Sequence, residues 1–191
     1  LLASGRVAAA TCGTDDGEPV GGAAACLAGS CSQATLQQIA AADRVMPVLR
    51  LDPEKIIAGP TETRQALAWA RARIGQGPVL IASSSTPDQV AAVQARHGRD
   101  AAGHAIEQAM ADLAEGLVQS GVRRLVVAGG ETSGAVVDRL GIPGFLVGAE
   151  IAPGVPVLHA VGATAGEMSL ALKSGNFGAA DFFADALKLM R

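Results

Sequence analysis

"VVAGGETSGAVVDRLG", residues 126–141, runs from an apolar stretch into a helical pattern through two glycines and a short polar patch, Glu131-Thr132-Ser133-Gly134. A buried strand that hands over to a helix through residues with almost no side chain is a joint of the α/β kind. Working outward, short apolar runs alternate with helical patterns along most of the chain. Strands are expected at Ala23–Ala28, Val45–Leu51, Val79–Ser83 and Arg124–Ala128. Helices are expected over 33–42, 62–75, 87–97, 104–120, 132–140 and 178–190. In the helix at 104–120, Ile106, Met110, Leu113, Leu117 and Val118 share one face, with Glu107, Asp112 and Glu115 off it. The last helix is expected to bury Phe182, Phe183, Ala186, Leu187 and Met190. The fold class that follows is α/β, a mostly parallel sheet with helices on both faces. Between 144 and 173 the Gly- and Pro-rich run "FLVGAEIAPGVPVLHAVG" reads as a short mixed β segment of two or three strands at one edge.

Bulk properties bound what such a sheet does. The 191 residues suit one domain with an extension, and 49% apolar residues supply a sizeable core. The net charge is −3, aromatics are 3% and tyrosine is absent, which argues against nucleic acid as a partner. No apolar run reaches the ~18 residues that spanning needs, so a membrane is not an expected partner. Cys12, Cys26 and Cys31 make an odd set without a CxxC pair, and a reducing, cytoplasmic setting is expected. Cys26 lies in an apolar run and is expected in the core. Residues 1–22, with "TCGTDDGEPVGG" at 11–22, read as a linker or tail, and residues 23–191 as the domain. The chain opens on Leu1 rather than Met, so it is expected to begin inside a longer protein. The apolar composition is compatible with a homodimer.

Three strand ends carry small or hydroxyl residues: "LAGSCSQAT" (27–35), "IASSSTPDQV" (81–90) and the opening stretch. In a parallel sheet such joints collect at the carboxyl edge, where ligands bind. Helix N-termini there offer unpaired N–H groups and partial positive charge, glycine lets a phosphate approach, and Ser or Thr adds donors. The joints are therefore shaped for an anion or a nucleotide. Each taken singly is equally an ordinary N-cap or turn. Neither GxxxxGK[ST] nor a helix-opening GxGxxG is present, which disfavours a Walker-type NTPase and a standard dinucleotide dehydrogenase.

A fourth stretch is "LALKSGNFGAADFF", 170–183. Lys173, one of three lysines, precedes a Ser-Gly-Asn turn; it could meet a phosphate as a point charge or sit solvated beside a loop. Glu131 could orient Mg²⁺, accept from a ribose hydroxyl, or complement the helix dipole as a first-turn acid. His97, His104 and His159 lack zinc-ligand spacing. His104 and Glu107 could pair or hold a metal, and a surface capping role is the expectation for His104.

Taken together, "LAGSCSQAT", "GHAIEQAMADLAEGLVQSGVRRLVVAGGETSGAVVDRLGI" (103–142), "VGAEIAPGVP" (147–156) and "LALKSGNFGAADFF" resemble the C-terminal half of the four-carbon acid sugar kinases. The blocks keep the family's order over most of residues 23–190. The resemblance implies the ATP-binding half of a kinase acting on erythronate, threonate or a 3-oxo derivative in carbohydrate metabolism. It further implies ATP and Mg²⁺ as cofactors and a sugar acid held by a separate N-terminal domain, which would also carry the catalytic base. By position it makes Ser30 and Ser32 neighbours of the nucleotide. Gly129, Gly130, Glu131, Thr132 and Ser133 become a phosphate-side loop, and Lys173, Ser174, Gly175 and Asn176 a second loop. One departure is Val157, where members often carry Trp, which implies altered packing near the nucleotide. The alternative reading is a free-standing, non-enzymatic α/β module that binds a nucleotide or small anion. An isomerase would need an acid–base pair that the sequence does not offer convincingly.

Overall fold

The computed structural model describes residues 20–163 and 166–190. Most of the expected N-terminal linker, with Cys12, lies outside the described residues.

Among the described residues seven strands form one sheet. They are β1 (Ala23–Ala28), β2 (Val48–Arg50), β3 (Val79–Ala82), β4 (Val122–Ala128), β5 (Gly144–Ala152), β6 (Val155–Val161) and β7 (Ser169–Lys173). Their spatial order is β2-β3-β1-β4-β7-β6-β5. The first five in that order run parallel; β6 is antiparallel to β7, and β5 closes that edge antiparallel to β6. The expected mixed segment is therefore present, with one correction. Only β5 lies at the edge, while β7 pairs with β4 inside the sheet. The short β2 also departs from the expected 45–51, because Val45 and Arg44 belong to turns that close the preceding helix.

Among the described residues seven helices lie between or after the strands: α1 (Gln33–Ala42), α2 (Pro53–Ala58), α3 (Thr61–Arg71), α4 (Pro87–His97), α5 (Arg99–Gln119), α6 (Gly130–Leu140) and α7 (Phe182–Leu189). Alternate residues of the central strands face opposite cores, as the period of two requires. Ala25, Leu27, Ile81, Leu125 and Val127 pack under α3, α5 and α6. Ala24, Cys26, Ala28, Leu80 and Val126 pack under α1 and α7. All are fully or nearly fully buried, each large aliphatic among them worth about 1.5–3 kcal/mol. Cys26 is core, and burial pushes its thiol well above the usual range. Phe182, Phe183, Ala186, Leu187 and Met190 are buried as expected. Val157 is also core, in the layer that holds α1 and α7.

This layering places the site. Adjacent strands β1 and β4 send their helices to opposite faces, α1 to one and α6 to the other. A crevice opens at the carboxyl ends of two strands whose helices part in this way.

Candidate functional site

The crevice is a cleft of about 450 Å³ over the ends of β3, β1 and β4. Its floor is laid by the joints. The N–H groups of Gly29 and Ser30 both donate to the carbonyl of Ala128, at 2.9 and 3.1 Å, and the N–H of Gly129 donates to the carbonyl of Lys173 at 2.9 Å. Strand ends β1, β4 and β7 are thus tied into one rim. Glycine is required where they meet. A Cβ at Gly29 would overlap the Thr132 hydroxyl, and Gly129 has φ +131° with Ser30 N only 3.1 Å from where its Cβ would stand. Residues 129–132 and 173–175 therefore lie at the same carboxyl edge of the sheet.

The expected site residues divide into two groups. Ser30, Gly129, Gly130, Glu131 and Thr132 line the cleft. Helix α6 starts there with no side-chain cap, and its first intrahelical bond runs from Ser133 N to Gly129 O. The N–H groups of Gly130, Glu131 and Thr132 are left facing the opening of the crevice, where the helix dipole favours an anion. Glu131 is exposed in the first turn. Ser133 is buried on the inner side of α6, and among the described residues its hydroxyl has no partner.

Ser32, Lys173, Ser174, Gly175 and Asn176 build the wall beside the cleft. Ser32 is the N-cap of α1, its Oγ accepting from Thr35 N at 3.2 Å. The same hydroxyl donates to the Gly175 carbonyl at 2.7 Å, and Thr35 Oγ1 donates to it at 2.9 Å. Lys173 is neither solvated nor open to the cleft; it is 2% exposed. Its Nζ donates to Gly175 O at 3.0 Å, Ser174 O at 3.2 Å and Thr35 Oγ1 at 3.3 Å, with the Phe182 ring 5.6 Å away. Burial pulls its pKa down to about 8. Gln38, 1% exposed, adds a second brace: its amide donates to the carbonyls of Phe177, Gly178 and Ala179 at 2.9–3.0 Å.

These donors set the polarity of the loop. In a trans peptide the N–H points opposite to the carbonyl that precedes it. Carbonyls 174 and 175 turn inward onto Lys173, Ser32 and Thr35, so the N–H groups of Gly175 and Asn176 turn away from α1. No described residue takes either N–H. Successive outward N–H groups of this kind form an anion-binding concavity.

Several lining residues were not expected. Val90, Val93 and Gln94 of α4 and Ala102, Ile106 and Glu107 of α5 close the side of the cleft over β3. Helix α5 begins at Arg99 rather than near 104, after a single break at Gly98 with φ +82°. His104 therefore lies within the helix rather than at its cap. Glu54 of α2 holds the far end of α4, with Arg96 Nη1 at 2.6 Å and His97 Nε2 at 2.7 Å. Among the described residues no cluster of three or more His, Cys, Asp or Glu could hold a metal by itself, and no helix is long and apolar enough to cross a membrane.

Known proteins are similar to this chain in sequence and fold. The model of the nucleotide-binding C-terminal domain matches residues 25–183. A 3-oxo-tetronate kinase of Methylobacterium radiotolerans is 65% identical over 190 residues, which is 100% of this chain and 45% of the relative. Another of that name, from Burkholderia multivorans, is 48% identical over 171 residues, 90% of this chain and 39% of the relative. The crystal structure of a DUF1537-family protein of Haemophilus influenzae aligns with a TM-score of 0.84 at 40% identity, over 91% of this chain and 42% of that one. The chain spans less than half the length of each of these relatives. It belongs to the family of nucleotide-binding C-terminal domains.

Proposed function

We propose that this chain is the ATP-binding half of a kinase that phosphorylates a four-carbon sugar acid: erythronate, threonate or 3-oxo-tetronate. The observation that carries the reading is the single rim at the ends of β1, β4 and β7. There an uncapped helix start and the outward N–H groups of Gly175 and Asn176 stand side by side. The names of the relatives supply the reaction.

Phosphoryl transfer asks a protein for positioning and charge neutralisation more than for covalent help. On this reading the N–H groups of Gly130, Glu131 and Thr132 hold one part of the phosphate chain and those of Gly175 and Asn176 hold another. The Ser30 hydroxyl, which accepts from Ser32 N at 3.2 Å, keeps its own proton to donate. Lys173 acts from behind the loop, fixing its peptide planes and adding positive charge without touching the ligand. Ser32 works in the same way.

Magnesium fits the donor set as an ion carried by the nucleotide. It ordinarily takes one or two carboxylates, waters and phosphate oxygens rather than a cage of protein ligands. Glu107 and Glu131 both border the cleft and would supply those carboxylates. Bound there, Mg²⁺ would neutralise the charge that develops on the phosphates. The sugar acid and the base that takes its hydroxyl proton belong to the part of the relatives that this chain does not span.

Calorimetry with ATP and a coupled ADP-release assay with erythronate or threonate test the reading. The 191-residue chain should bind ATP weakly and turn over neither sugar acid. Robust turnover by this chain, or no binding of ATP at millimolar concentration, would refute it.

A further inference from the structure

The rim accounts for one end of the cleft only. The other end lies over β3 and toward β2, two to three strand spacings from β4, or about 10–14 Å. Its surface has a different character. Val90, Val93 and Gln94 stand at i, i+3 and i+4 on one face of α4, opposite Ala102 and Ile106 of α5 and Pro53 at the start of α2. Val93 is the only buried residue of α4, so this helix turns its apolar face toward the cleft more than toward the core. On the floor below stands Ser83, 2% exposed, whose hydroxyl has no hydrogen-bond partner among the described residues. A buried hydroxyl without a partner is uncommon and calls for an explanation.

We infer that this end is a nucleobase subsite, and that Gln94 is its specificity-determining residue, selecting adenine over guanine. The inference rests on the nucleotide reading of the rim and adds the base to it. The argument is one of shape and of donors. A flat, apolar ring needs aliphatic walls, which Val90, Val93 and Ile106 provide. No described residue hydrogen-bonds the Gln94 carboxamide, and it stands beside those walls. A carboxamide places one acceptor beside one donor, matching the amino group and adjacent ring nitrogen of adenine. The corresponding edge of guanine offers two acceptors and calls for Arg or Lys instead. Neither stands among the lining residues. The Glu54 contacts to Arg96 and His97 hold α4 in place as a wall.

The test separates base from phosphate. Adenosine should shift the methyl resonances of Val90, Val93 and Ile106 and leave the amides of 130–132 and 175–176 unmoved. Inorganic tripolyphosphate should do the reverse. By calorimetry ATP should bind about tenfold more tightly than GTP, the size of one bidentate base contact. Gln94→Leu should bring that ratio to about one while tripolyphosphate affinity stays unchanged. Equal binding of ATP, GTP and tripolyphosphate by the parent protein, or an ATP preference that survives Gln94→Leu, would overturn the base assignment and leave the rim standing. Failure of tripolyphosphate and both nucleotides to bind would overturn the rim and the base subsite together.

Discussion

A lysine buried without a carboxylate partner makes a quantitative prediction. Lys173 keeps its ammonium against two carbonyls and a hydroxyl, and burial brings its pKa from 10.5 to about 8. At 1.36 kcal/mol per tenfold, holding that charge costs the folded state about 3 kcal/mol relative to the unfolded chain. Below pH 8 both states carry the proton and the full cost applies. Between about 8 and 10.5 the folded state has released its proton while the unfolded chain still holds one, so stability rises with pH. Above that range both are neutral. Lys173→Met, of similar length, removes the charge and leaves the Ser174 carbonyl without its donor. That loss is worth about 1–3 kcal/mol and largely offsets the gain at neutral pH. The variant should therefore be as stable as the parent near pH 7, and the parent should overtake it by about 3 kcal/mol between pH 8 and 10.5. Urea unfolding followed by the fluorescence of the one tryptophan, Trp69, reads this directly, and no tyrosine titrates in the same window. A bound polyphosphate would draw the proton back, so nucleotide binding above pH 8 should take up a proton, visible in calorimetry with buffers of different ionisation heat. Stability curves of parent and variant that run parallel from pH 7 to 10.5 would refute the reasoning.

Three further outcomes are expected. Gly175→Ala drives a Cβ into the Ser30 and Ser32 hydroxyls and should destabilise the fold by about 1–3 kcal/mol, with nucleotide affinity down at least tenfold by calorimetry. A Cβ at Gly130 meets nothing within 4 Å, so in Gly130→Val the melting curve should hold while ATP affinity falls; unchanged affinity would remove this loop from the site. Gln38→Leu strips the shared donor from the carbonyls of Phe177, Gly178 and Ala179 and should cost about 1–3 kcal/mol in urea unfolding. It should also open residues 174–180 to limited proteolysis.

The sequence made the sheet legible wherever an apolar run was bounded by small residues. Ala23–Ala28 is a strand at its expected limits, and the joint at 126–141 has the expected form. Helix α2 was missed although its signals are present: Asp52 as a side-chain cap, Pro53 in the first turn and Gly59 at the end. Six residues give too little periodicity to stand out. The start of α5 was missed because Gly98 and Gly103 resemble loop punctuation, whereas Gly103 is helical and lines the cleft. Burial of Lys173 could not be read locally. Thr35, one of its partners, stands 138 residues away, and only the pairing of β7 with β4 and of β4 with β1 brings it near. Val90 and Val93 were equally opaque, since an apolar stripe on a helix looks alike whether it meets a core or a cleft.

The two helices that part at the crevice begin differently. Ser32 fills the opening turn of α1 and the 174–176 loop packs against it, whereas α6 begins bare. The stronger electrical pull thus comes from one bank. A polyanion drifting in would therefore feel the pull of the bare α6 end before any side chain has read it.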